Sequence, residues 1–146
     1  MNNKRGQMVA DLAAPHLRPD EQIVMTVYAN VGSVSVKRVI ATAAVVTVAT
    51  AGMFTAFARP RKTYLALTSQ RLMFFNGETV SGRPGKLLFS LPREAVSVAD
   101  VDKGVINVKV ELAIEGQDKG LRLTFPTVAR KDGEQVAAVL RSTVAV

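Results

Sequence analysis

Few side chains in this chain could do covalent chemistry. There is no cysteine and one histidine, His16, set between Pro15 and Leu17. Without cysteine there is no thiol nucleophile, no disulfide and no thiolate metal site, a usage that suits a reducing compartment. A lone imidazole could act as a base, but an ordinary helix-end or surface side chain accounts for it as simply. No HExxH, no GxSxG and no acidic cluster at metal-ligand spacing occurs. Glu94, Asp100 and Asp102 lie close together, yet each falls at a strand edge or turn and not as the facing pair that acid–base catalysis needs. Residues 77–83, Gly-Glu-Thr-Val-Ser-Gly-Arg, mimic the glycine spacing of a phosphate loop. That loop needs Lys then Ser or Thr, running straight into a helix whose amides hold phosphate. Here Pro84 and Gly85 follow Arg83 and a strand comes next, so the segment reads as a hairpin loop. The expectation is a non-enzyme with no catalytic residue, no metal, no cofactor and no small-molecule substrate.

Charge is the stronger signal. The chain carries a formal +7, and its distribution is uneven. Between residues 37 and 93 stand nine basic side chains (Lys37, Arg38, Arg59, Arg61, Lys62, Arg71, Arg83, Lys86, Arg93) against the single acid Glu78, while the rest is close to neutral. Such a field attracts phosphate-bearing partners, although a basic surface also serves solubility. Tyr64, Phe74, Phe75 and Phe89 are interleaved with these cations, a mixture that can stack single-stranded nucleic acid. The strand alternation gives most of these rings a core role instead, and no RNP1-type motif accompanies them, so nucleic acid is not the expected partner.

The elements that must position these residues are mostly strands. Residues 7–17 carry apolar positions at Met8, Leu12 and Ala13, a short amphipathic helix that Pro15 ends. Arg18-Pro19-Asp20-Glu21 is a turn, and 22–29 form a first strand with Ile23, Met25 and Val27 on one side. From residue 62 onward strands are expected at 63–68, 71–76, 86–91, 95–100, 105–115 and around 121–125. Turns fall at Asn76-Gly77, at 82–85, at Asp102-Lys103-Gly104 and at 116–120. The clearest is 105–115, where Ile106, Val108, Val110, Leu112 and Ile114 alternate with Asn107, Lys109 and Glu111. Residues 132–141 return to helical spacing through Val136, Val139 and Leu140, a stripe suited to covering a sheet's apolar face. The result is a mainly β fold: an antiparallel sheet closed by one C-terminal helix, with a short helix at the N-terminus.

Residues 39–58 are ambiguous. The run has no charge and is bracketed by Lys37-Arg38 and Arg59-Pro60-Arg61-Lys62. As a helix it would extend about 30 Å, the thickness of a bilayer core. Seven of its residues are Ile, Val or Phe and none is Leu, while nine are β-branched. A segment buried in the domain or against a partner, a membrane span and a pair of strands are all compatible with it.

Leu67-Thr68-Ser69-Gln70-Arg71-Leu72-Met73-Phe74 resembles the "L-T-x-x-R-L-x-F" hairpin of bacterial pleckstrin-homology-like and GRAM-like domains. Upstream, Leu17-Arg18-Pro19-Asp20-Glu21-Gln22-Ile23 is similar to the "L-x-P-G-E-x-h" entry of those families, with Asp20 where glycine is usual. Downstream, residues 89–98 resemble their "h-x-l-p-h-x-d-h-x-x-V" strand pair. The likeness covers 17–141, interrupted by 39–58. It implies a bent sheet or partial barrel of about seven strands capped by one α-helix, with Thr68 and Arg71 holding a corner between two strands and Leu67, Leu72 and Phe74 completing the structural hairpin. On that basis residues 1–19 form an N-terminal helix or tail, and 20–146 the domain that 39–58 interrupts.

The fold does not name a ligand. The function expected first is a non-catalytic adaptor at the cytoplasmic membrane surface. In that reading the apolar segment docks or inserts, and Lys37, Arg38, Arg59, Arg61 and Lys62 meet anionic headgroups at roughly 1 kcal/mol each. The alternative is a soluble module for protein interaction or self-association. The partner is then an anionic lipid or a protein, including a second copy of the chain. The polar, basic first residues do not read as a secretory signal, which points to a cytoplasmic location, free or membrane-associated.

Overall fold

The computed structural model of the chain describes residues 3–35 and 51–142. In chain order the elements are α1 (Asn3–Ala13), β1 (Ile23–Ser35), α2 (Ala51–Ala56), β2 (Arg61–Thr68), β3 (Arg71–Asn76), β4 (Leu87–Pro92), β5 (Val96–Lys103), β6 (Asn107–Ile114), β7 (Lys119–Pro126) and α3 (Arg130–Ser142). Three single 3₁₀ turns, Ala14–His16, Arg93–Ala95 and Thr127–Ala129, join α1 to the loop before β1, β4 to β5 and β7 to α3.

The strands form one open antiparallel sheet in the order β4-β3-β2-β1-β7-β6-β5. β1 is the hinge of this arrangement. Its first part, Ile23 to Val31, pairs with β2, and its last part, Asn30 to Ser35, pairs with β7. Only Asn30 and Val31 have neighbours on both sides, so the two halves of the sheet are offset along β1. An offset of this kind, added to the natural twist, bends a sheet around one concave face.

Strand alternation fills that face with Val27, Ala29 and Val31 from β1, Leu65 and Leu67 from β2, Leu72 and Phe74 from β3, and the rows of β6 and β7. α3 covers it with Val136, Ala137 and Leu140. The closeness of that contact explains a glycine inside a helix. A Cβ on Gly133 would stand 2.7 Å from the ring of Phe125 and 3.1 Å from Val108 Cγ1.

β2 and β3 are buried on both faces. Tyr64, Ala66, Met73 and Phe75 point outward, and α1 packs on them through Val9 and Ala13. The expected N-terminal helix is therefore present, but it buries Val9 and Ala13, while Leu12 remains 37 % exposed. The aromatic residues behave as core: Tyr64, Phe74 and Phe75 are buried and Phe89 is half-buried.

Several expectations need correction. The first strand is longer than 22–29, and an irregularity between Ile23 and Met25 sends these two residues to opposite faces. Asn76-Gly77 is not a two-residue hairpin turn. It opens a longer loop in which Gly77 is needed because a Cβ would meet the Lys62 backbone at 2.8 Å. Asp102 and Lys103 belong to β5, and the turn follows them. β6 begins at Asn107, so Val108, Val110, Leu112 and Ile114 line the core, whereas Ile106 is 71 % exposed.

The second half of the ambiguous apolar run lies inside the domain. α2 and the residue after it place Met53 and Phe57 at zero exposure. The Phe57 ring stands 5.9 Å from that of Phe74 and 6.1 Å from that of Phe89. The Ser33 N–H donates to the Phe57 carbonyl at 2.8 Å, which ties the returning chain to β1. Residues 39–50 of the same run lie outside the described residues.

Candidate functional site

At the corner between β2 and β3 the hairpin residues meet the entry turn. Thr68 Oγ1 accepts the N–H of Gln70 at 3.1 Å and that of Arg71 at 2.8 Å, and donates to Glu21 Oε2 at 2.5 Å. Arg71 grips the same carboxylate with Nε on Oε2 at 3.0 Å and Nη2 on Oε1 at 2.7 Å. Nη2 also donates to the carbonyl of His16 at 2.5 Å. The Glu21 side chain is fully buried. The Arg71 hydrogen bonds hold its carboxyl at a pKa of about 2, against the opposing effect of burial and with help from Thr68 and the Arg18 N–H. Glu21 in turn raises Arg71. Leu67 and Leu72 pair across the same corner, and Phe74 fills the core beneath it. All of these atoms are occupied with one another, so the arrangement fastens the first strand to the hairpin and presents no reactive group. Glu21 was part of the entry pattern, but nothing in the spacing linked it to residues about fifty positions away.

The basic residues separate into two kinds. Lys37 and Arg38 lie outside the described residues. Arg59 is exposed. Arg61 and Lys62 are consecutive in β2 and so leave it on opposite faces. Arg61 is half-buried, with Nη2 on Asn76 Oδ1 at 3.0 Å and Nε 3.5 Å from Glu78 Oε1. Lys62 is exposed and borders a cavity of about 480 Å³ with Arg5, Tyr28, Tyr64 and the loop residues Gly77 to Gly82. Of the three proposed cations among the described residues, Arg59 and Lys62 are exposed and Arg61 is tied to Asn76 and Glu78.

That cavity lies on the sheet's outer face. Arg5 reaches it from the first turn of α1, where Nη1 donates to Tyr64 Oη at 2.7 Å and to the Gly82 carbonyl at 2.9 Å. Tyr64 Oη itself donates to the Gly82 carbonyl at 2.6 Å. Gly82 has φ +72°, a left-handed conformation that favours glycine. The Tyr28 and Tyr64 rings tilt against each other at 5.1 Å. Burial raises the Tyr28 hydroxyl pKa, and Tyr64 adds to the shift while Arg5 opposes it. The cavity is lined by two cations, Arg5 and Lys62, two phenols and the Glu78 carboxylate, which also lies 3.5 Å from Arg61 Nε. Arg5 was not singled out in the sequence because no periodicity relates it to Tyr64 or Gly82.

The remaining candidates for chemistry stay apart. The 77–83 loop joins β3 to β4 and is held by Thr79 Oγ1 donating to the Arg83 carbonyl at 2.7 Å, with no helix after it. His16 and Glu94 are exposed at two different 3₁₀ turns, and Asp100 and Asp102 are exposed on β5. No group of three or more His, Cys, Asp or Glu able to hold a metal occurs among the described residues.

No protein-family model and no curated protein matches the chain. Among solved structures, the chain resembles a DUF1696 family protein with a pleckstrin-homology domain from Shewanella loihica PV-4. The TM-score is 0.50 at 15 % identity, over 96 % of this chain and 92 % of that one. A pleckstrin homology domain from Shewanella amazonensis SB2B aligns over 91 % of this chain and 97 % of its own at 17 % identity, with a TM-score of 0.44. The chain has a pleckstrin-homology-like fold: a seven-stranded open antiparallel sheet, a C-terminal helix and a short N-terminal helix. Neither comparison bears on the GRAM-like half of the resemblance.

Proposed function

We propose that the chain is a non-catalytic binding module that works against an anionic membrane surface on the cytoplasmic side. The observation that carries this reading is which cations remain after the fold has used the others. Arg71 is committed to Glu21 and Arg61 to Asn76 and Glu78. Arg93 spans from the Thr68 carbonyl to the Val139 carbonyl at 3.1 Å each, where burial lowers its pKa. Arg59, Lys62, Arg83 and Lys86 are exposed. They sit in or beside the β1–β2 and β3–β4 connections, which strand direction places at the same end of the sheet. Four such side chains near an anionic surface, at roughly 1 kcal/mol each, would raise binding about a thousandfold.

The role first expected for the whole apolar run is narrower in this reading. Met53 and Phe57 are core residues, so insertion cannot draw on them. β1 ends at Ser35 and α2 begins at Ala51 in the same packed body, with residues 36–50 between them. No helix among the described residues is long and apolar enough to cross a membrane.

A second reading, self-association, has one observation in its favour. Both edge strands carry a register irregularity, but β4 (Leu87–Pro92) has no charged side chain, whereas β5 has Asp100, Asp102 and Lys103 to discourage pairing. Vesicle flotation separates the two. The protein should float with phosphatidylglycerol vesicles at 0.1 M salt, where the Debye length is ~10 Å, and be released at 1 M, where it is ~3 Å. Arg59→Glu, Lys62→Glu, Arg83→Glu and Lys86→Glu together should abolish flotation. No flotation at low salt, with a dimer seen by light scattering, would replace the membrane reading with self-association.

A further inference from the structure

A second, smaller recess lies on the outer face where β1, β7 and β6 run side by side. The strand register builds it. Asn30 of β1 pairs with Thr124 of β7, which pairs with Lys109 of β6. Two residues further along each strand, Gly32 pairs with Arg122, which pairs with Glu111. Residues two apart in a strand share a face, and the intervening row, Val31, Leu123 and Val110, is buried in the core. Asn30, Thr124, Lys109 and Arg122 therefore stand together outside, with neighbouring Cβ atoms ~4.5–5.5 Å apart. Gly32 supplies the gap, because it has no side chain to fill it. Pro60 closes over that gap, and a Cβ at position 32 would lie 3.3 Å from its Cγ. What remains is a recess of about 210 Å³.

Its polar lining includes four side chains that can donate, Asn30, Lys109, Arg122 and Thr124. Glu111 Oε2 accepts both Nε and Nη2 of Arg122, at 3.1 and 2.9 Å. That fixes the guanidinium plane and leaves Nη1 without a partner among the described residues. The Lys109 ammonium, the Asn30 amide and the Thr124 hydroxyl make no hydrogen bond or ion pair among the described residues either. Asp102 stands across from Lys109 on β5, yet no ion pair joins them. Lys109 is half-buried. A half-buried cation that makes no ion pair is stabilised by an anion that reaches it.

We infer that this recess is a binding site for a small oxyanion of the phosphate class. Lys109 supplies the charge, Arg122 a fixed donor, and Asn30 and Thr124 the neutral donors. The volume is below the ~300–1,000 Å³ of sites that enclose drug-sized ligands. The site therefore takes inorganic phosphate, or the terminal phosphate of a molecule whose remainder stays outside. It requires none of Arg5, Arg59, Lys62, Arg83 or Lys86, so it stands or falls separately from the membrane reading.

The test is a titration of the ¹⁵N-labelled full chain with inorganic phosphate at constant ionic strength, using chloride as the control. Saturable shifts are expected at the amides of Asn30, Gly32, Lys109, Arg122 and Thr124 in the millimolar range, and chloride should not reproduce them. Lys109→Met should weaken phosphate binding about tenfold or more, since a hydrogen bond from a charged donor is lost, while Lys109→Arg retains it. Thr124→Val gives a smaller loss in a background that keeps the charge, and guards against a Lys109 variant that folds poorly. A second arm uses phosphatidic acid vesicles against phosphatidylcholine. If Lys109→Met lowers flotation on phosphatidic acid, the phosphate is a lipid headgroup; if it leaves flotation unchanged but abolishes the titration, the ligand is a free phosphate. Absence of saturable shifts, or shifts unchanged in Lys109→Met, would overturn the assignment.

Discussion

The Glu21–Arg71 pair is buried and doubly hydrogen-bonded, and it has a measurable consequence for pH. The Glu21 carboxyl ordinarily titrates near 4.5 and is held at about 2 in the fold. A carboxylate with a depressed folded pKa contributes stability that is fully present above its unfolded pKa, and loses it as pH falls through the folded value. Unfolding free energy should therefore decline from about pH 4.5 towards pH 2, with up to about 3 kcal/mol traceable to this side chain. Glu21→Gln should flatten that part of the profile, as denaturant titrations at several pH values would show. Arg71→Leu strands a buried carboxylate and should cost about 3–5 kcal/mol. A loss below 1 kcal/mol would mean that the pair is not buried in solution. From the sequence, Thr68 and Arg71 could be placed at a corner only through the resemblance. Their acceptor, Glu21, was hidden because contacts between distant segments leave no local pattern.

Elements were more legible than contacts, in proportion to how regular their periodicity is. The β6 alternation survives folding intact from Val108 to Ile114 because one face is core and the other is not. It fails at Ile106, where the chain is still in the turn and apolar character has no bearing on direction. Val110→Ala should thus destabilise the protein by about 1–3 kcal/mol, read as a lower melting temperature. An unchanged melting temperature would show that the strand is unpacked. α3 offers a sharper contest between two effects. Replacing Gly133 by Ala gains up to about 1 kcal/mol of helix propensity, but its Cβ would press on the buried Phe125 ring at 2.7 Å. Overpacking of this kind typically costs about 1–3 kcal/mol, so the expected net effect is destabilising. A stabilised Gly133→Ala variant would show that α3 can move off the sheet. The apolar run defied reading for the opposite reason. Met53 and Phe57 belong to the core of a bent sheet, and an uncharged stretch has the same composition whether it faces lipid or protein.

For the whole molecule, the number of strands and the closing helix followed from the alternation and the resemblance, whereas the order of strands in the sheet and the distribution of usable charge did not. Nine cations between residues 37 and 93 marked that stretch as carrying the whole charge excess. The fold instead consumes Arg61, Arg71 and Arg93 internally, and leaves Arg59, Lys62, Arg83 and Lys86 exposed around two connections at one end. Arg5, from the far N-terminal helix, completes the tyrosine-lined cavity beside them. The account's central claim is that this end meets the anionic surface. By strand direction, the β5–β6 turn lies at the other end, with Val105 89 % exposed. Because the chain has no cysteine, a single one can be introduced and labelled at either end. An environment-sensitive fluorophore on Ser81→Cys, in the β3–β4 loop, should shift on addition of phosphatidylglycerol vesicles at low salt, and the same label on Val105→Cys should not. A response at Val105 with none at Ser81, or no response at either, would contradict the claim.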